Sequence, residues 1–136
     1  ELDVVPAEVA EWLQNMGLER SPQMYDFVLS KDGFFGIVKG LGHSALGERD
    51  YLVGGRNRVS QGWYLLQELL WLPRRRDLER ALEEMGYDLF CEKNRDGWSY
   101  CLYKEGADDI WTASVATPAE AAALAYLQAK GEKGIP

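Results

Sequence analysis

The residue types best suited to chemistry sit together in "GLGHSALGERD", residues 40 to 50, where His43 is followed by Ser44 and, further on, by Asp50. A hydroxyl nucleophile, an imidazole base and a carboxylate are the parts of an acyl-transfer site. Adjacent residues rarely face each other productively, however, and a working triad also needs an orienting group and an oxyanion hole. The same glycines do not form a phosphate loop, because the stretch lacks a Lys-Ser/Thr ending and is not set between a strong strand and a helix. It reads as a functional surface loop. Together with Arg56 and Arg58 in the following "GGRNR", His43 supports one alternative reading, a small-ligand binder or enzyme.

Other candidate groups carry less. The carboxylate pairs Glu83-Glu84 and Asp108-Asp109 are neighbours in sequence, on the outer side of a helix and in a turn. Acid-base work needs two groups facing a cleft with separated pKa values, so these read as solvated surface. Cys91 and Cys101 lie on two arms of one hairpin, and would be directly opposed only if its turn carried a bulge. A disulfide between them stays open, but two thiols in such a chain more often mean a reducing compartment and small apolar side chains, and a cytoplasmic location is expected. With no C-x-x-C or Cys/His spacing, neither a metal nor another cofactor is expected.

The totals restrict the partners. The 136 residues carry a formal charge of −7, which disfavours nucleic acid and anionic membranes as partners. The longest apolar-rich run, "WYLLQELLWL", is interrupted by Gln67 and Glu68 and is too short to span a bilayer. Hydrophobic residues make up 46% and aromatic residues 12%, enough for a folded core. The chain opens without a signal-peptide pattern or an initiator Met, from which trimming is expected.

Periodicity then supplies the elements. "PAEVAEWLQNMG" (6 to 17) predicts a helix with Val9, Leu13 and Met16 on one side. "MYDFVLS" alternates, Lys31-Asp32-Gly33 turns, "FFGIVKG" returns, and "YLV" (51 to 53) suggests a third strand. "VSQGWYLLQELLWL" (59 to 72) predicts a second helix stopped by Pro73. "RDLERALEEMG" predicts a third, with Leu78, Ala81, Leu82 and Met85 inward and Glu79, Arg80 and Glu83 outward. A hairpin and a strand in "IWTASVA" follow, and then a helix with Thr117 as N-cap, Pro118 in its first turn and Glu120 completing a capping box.

Both halves thus read helix, three strands, helix, either by duplication or because this order is common. The fold class is α+β, with antiparallel sheets under helices. The organisation expected is an N-terminal part (1–58), a connecting apolar helix (59–75) and an αβββα unit (76–136).

"DLERALEEMGYDLF", the Trp98-bearing hairpin and "ASVATPAEAAALAYLQA" together resemble the phage ABA sandwich domain family over residues 76 to 130. The resemblance implies a small phage- or prophage-encoded accessory protein and supplies no active-site residues. The αβββα order is also that of double-stranded-RNA-binding domains, but Glu120 stands where those present lysines to phosphate, so that function is rejected.

On a helical wheel of residues 59 to 72, Trp63 joins the leucines on the apolar side while Tyr64 and Trp71 fall within the polar stripe, and large aromatics there need cover. Either the rest of the chain buries them or a protein partner does. The reading adopted is a non-enzymatic acidic protein acting by protein–protein contact or self-association through Tyr64 and Trp71. The alternatives are the ligand site around His43 and structural self-assembly in a phage particle.

Overall fold

The computed structural model describes residues 4–18, 20–43, 45–55 and 61–131. The chain forms two compact units, Gly17–Leu72 and a second made of Glu1–Met16 with Pro73–Pro136. The first is therefore inserted in sequence between elements of the second. The α+β class expected from the sequence is observed, with three helices and two antiparallel sheets among the described residues.

Among the described residues the regular elements of the inserted unit are five strands and one 3-10 turn: β1 (Phe27–Ser30), β2 (Phe35–His43), β3 (Arg49–Gly54), β4 (Gln61–Leu65), the turn Leu66–Glu68 and β5 (Leu69–Leu72). Its sheet order is β4-β3-β2-β1-β5. Five strands laid flat would put the edge strands about 19 Å apart at about 4.8 Å per neighbour. A 3-10 turn of three residues advances only about 6 Å. The sheet must therefore curl, and β4 and β5 become the two lips of an open barrel. Lys31 N–H donates to the Glu68 carbonyl at 2.9 Å, tying the turn after β1 to the turn before β5.

Curling gives this sheet an interior without helices. Val28, Val38, Tyr51 and Val53 form its buried core, and Phe34, Tyr64 and Leu69 pack against them. Along β5, Trp71 pairs with Val28 and points inward, while Leu70 and Leu72 pair with Leu29 and Phe27 on the outer side.

The predicted helix over 59 to 72 is not formed: residues 61 to 72 are β4, the 3-10 turn and β5. Apolar residues occupy every phase of this stretch, so neither period is excluded by pattern. Register with β3 decides, through Tyr51 opposite Tyr64 and Val53 opposite Gly62. The two αβββα halves reduce to one, because the first half continues into β4 and β5 where a helix was expected.

The second unit contains α1 (Ala7–Asn15), α2 (Arg75–Glu84), β6 (Asp88–Asn94), β7 (Gly97–Tyr103), β8 (Ile110–Trp111) and α3 (Pro118–Ala129). Residues 4 and 5 meet the start of α2: Val4 forms a bridge with Arg74, and Val5 N–H donates to the Pro73 carbonyl at 3.1 Å. α2 and α3 pack on each other and on the β6-β7-β8 sheet. Leu78 and Leu82 of α2 are buried, as the pattern predicts. In α3, residues Ala121–Leu127 are all buried, and the small side chains let this helix lie close to the strands. Thr117 caps it as expected, its hydroxyl accepting the Glu120 N–H at 3.1 Å.

The β6-β7 hairpin turns through two residues, with Asn94 opposite Gly97. Gly97 has φ +129°, and a Cβ there would come within 2.3 Å of the Val115 carbonyl oxygen, so only glycine fits. Without a bulge, Cys91 faces Tyr100 and Cys101 faces Phe90, which places the two thiols on opposite faces, both free.

Candidate functional site

The candidate residues on the barrel are distributed differently from the helical expectation. Trp71 is 3% exposed, and the Arg20 guanidinium lies over its ring at 4.3 Å. Arg20 is in turn held by the buried Asp26 carboxylate at 2.9 Å. Tyr64 is half-buried against the core, with its hydroxyl 3.4 Å from Asp32 Oδ2. Trp71 thus offers no open surface, and Tyr64 little. Alternation along a strand reverses the wheel: Trp63, expected inside, is 55% exposed. Its indole crosses the glycines of β2, so that a Cβ on Gly42 would lie 3.3 Å from the ring.

His43 is exposed at the end of β2, opposite Arg49. Ser44, Arg56 and Arg58, expected to join it, lie outside the described residues. Asp50 pairs with Gly42 on the neighbouring position, so its side chain is on the other face from His43.

A polar cluster that the sequence reading missed joins α2 to the sheet. The Tyr100 hydroxyl donates to Glu79 Oε2 at 2.6 Å and accepts from Arg75 Nε at 2.7 Å, while Arg75 also reaches Glu79 at 3.2 Å. Glu79, expected to point outward, is drawn to this hydroxyl. Burial, reinforced by the Glu79 carboxylate, raises the Tyr100 pKa well above the ordinary tyrosine value. Below Tyr100, its N–H donates to the buried Thr112 hydroxyl at 2.8 Å. Every polar atom named is paired, as a buried tyrosine requires, and the cluster is structural in character.

The opposite face of this sheet is different. Helices cover the side bearing Tyr100 and Leu102. The other side presents Phe90, Cys101 and Trp111 as one row in register across β6, β7 and β8. Phe90 is 51% exposed and Trp111 60%, and Cys101 between them is buried at 1%. Tyr103, two residues along β7, is 39% exposed. Its pKa is raised, chiefly by hydrogen bonding with the Cys101 side chain, and the Asp109 charge adds to the effect. A signal for this row was present in "DLFCEKN": Phe90 shares strand phase with Asp88 and Glu92, an aromatic on the polar face.

Among the described residues no group of three or more His, Cys, Asp or Glu is placed to hold a metal ion, and no helix is long and apolar enough to cross a membrane. The chain matches no protein-family model, no curated protein and no solved structure.

Proposed function

We propose that this chain is a non-enzymatic binding module acting through protein–protein contacts, and that its contact surface is the open face of the β6-β7-β8 sheet. The observation that carries this reading is the exposed row of Phe90 and Trp111, with Tyr103 beside it, on a hydrogen-bonded sheet. Aromatic side chains bring large area to an interface at little entropic cost, and each can bury about 150–250 Å². Held on strands, they are already positioned, which reduces the ordering cost of association. The earlier candidates Tyr64 and Trp71 give way to them because their rings face the barrel core. A phage or prophage origin, implied by the resemblance of residues 76 to 130, belongs to the same proposal.

The test compares capture from bacterial lysate by wild type and by Phe90→Ala/Trp111→Ala, with thermal unfolding confirming that the variant folds. A protein retained by wild type and lost by the folded variant is the expected result. Equal capture by both, or capture by neither, would remove this surface from consideration. Trp71→Ala is an unsuitable probe here, because it acts on the core.

A further inference from the structure

We propose that the open face of the β6-β7-β8 sheet docks a basic segment of a protein partner, with arginine or lysine side chains against Phe90, Tyr103 and Trp111 and with Asp88, Glu92 and Asp109 as counter-charges. This rests on the binding-module reading and adds the chemistry of the partner. Asp88 and Glu92 stand one strand repeat before and after Phe90 on β6, each about 7 Å along the strand and on the same face. Both are exposed. Asp109 precedes β8 by one residue, is exposed, and acts electrostatically on Tyr103. The rim of the aromatic row is therefore acidic at both edges of the sheet.

The nearby cations belong elsewhere. The Lys93 ammonium lies 5.4 Å from the Trp98 ring and that of Lys104 5.1 Å from the Tyr87 ring, both on the helix-covered side by strand phase. Arg75 is engaged with Tyr100 and Glu79 on that side too. Arg95 lies in the hairpin turn, at the end of the sheet.

Charge complementarity selects among occupants. A purely apolar partner would strip water from three carboxylates without pairing them, which is costly. An anionic partner would meet those carboxylates and a chain of net charge −7. A cationic side chain gains twice, from the negative faces of the aromatic rings and from the carboxylates around them. Arginine suits best, since its guanidinium is planar, weakly hydrated and stacks on rings. Cys101, buried beneath the row, forms its floor.

The test is calorimetric titration of the intact chain with an octa-arginine peptide at about 50 and about 200 mM salt. Octa-glutamate serves as the control peptide. Three variants accompany wild type: Trp111→Ala, the triple Asp88→Asn/Glu92→Gln/Asp109→Asn, and a charge-matched triple elsewhere, Glu11→Gln/Glu83→Gln/Glu84→Gln. The expected result is binding of octa-arginine alone, weakened about ten-fold by Trp111→Ala and by the sheet triple, and by less than about two-fold by the matched triple.

Equal loss in both triples would reduce the effect to general charge and overturn the proposal. Insensitivity to Trp111→Ala would do the same. If lysate capture depends on Phe90 and Trp111 while octa-arginine does not bind, the basic chemistry is wrong and the module reading stands. Failure of both defeats both. A concentration-dependent dimer in light scattering, abolished by Trp111→Ala, would assign the face to a second copy and overturn the basic partner.

Discussion

The two sheets meet the same requirement by different means. Each is antiparallel with two faces, and each must bury one of them to be stable. The five-stranded sheet curls until its own inner face becomes a core, closing over Val28, Val38, Tyr51 and Val53. The three-stranded sheet has too few strands to curl in this way and takes cover from α2 and α3 on one side. Its other side stays open with Phe90 and Trp111 on it. The same residue type therefore has opposite meanings in the two regions. Trp71 is core, and Trp111 is surface.

The contrast breaks first at those two tryptophans. Trp71→Ala is expected to cost about 3–5 kcal/mol in urea unfolding, and Trp111→Ala to stay within about 0.5 kcal/mol. Comparable losses at the two sites would mean that the sheet face is not open. The buried tyrosines sharpen the same contrast. Tyr100→Phe deletes a hydroxyl bonded to both Glu79 and Arg75 and is expected to cost about 1–3 kcal/mol. Tyr51 Oη, buried in the barrel, has no hydrogen-bond partner among the described residues, so Tyr51→Phe is expected to be neutral or stabilising by about 1 kcal/mol.

Tyr100 also gives the comparison a pH arm. Its folded pKa is raised by burial and by Glu79, while an unfolded tyrosine ionises at about 10. Its contribution is complete below that value and lost as pH rises above it. The alkaline fall in stability should therefore be shallower in Tyr100→Phe than in wild type.

Smaller effects follow. Thr117→Ala removes the hydroxyl that caps α3 and should lower stability by about 1 kcal/mol, read from the denaturation midpoint. The least is expected at Asp32 on the barrel, whose pKa is lowered chiefly by its hydrogen bond from the Ser30 hydroxyl. Its small contribution is present above the unfolded carboxylate pKa of about 3.9 and fades as pH falls through the lowered folded value. Asp32→Asn should flatten the acid limb slightly, and an unchanged limb would show that the Ser30 bond carries no weight.

The sequence was most legible where one period dominates. α1 and α2 show clear apolar stripes, and Val9, Leu13, Leu78 and Leu82 are buried as expected. The α3 cap was legible because Thr117, Pro118 and Glu120 each satisfy a separate local requirement. Residues 61 to 72 were misread because their apolar residues fit a helix and a strand alike, and a barrel interior was not visible from local pattern. That one choice of period inverted the site: it placed Trp63 inside and Tyr64 outside. Phe90 was readable from its phase with Asp88 and Glu92, but its weight depends on Trp111 being opposite it two strands away, a register that no single stretch encodes. The Arg75-Glu79-Tyr100 cluster is likewise a product of packing, since Glu79 looks like any outward helix carboxylate.

Insertion of the barrel between α1 and α2 has a consequence for how the chain is made. Val9 and Leu13 leave the ribosome ahead of the barrel, yet α3, against which α1 packs, follows roughly a hundred residues later, about 5–20 s at ordinary elongation rates. The barrel waits for nothing, because all five of its strands are present once Leu72 has been added. Synthesis thus sets an order in which the interrupted unit is the last to close, its first helix held in reserve while the insert folds ahead of it.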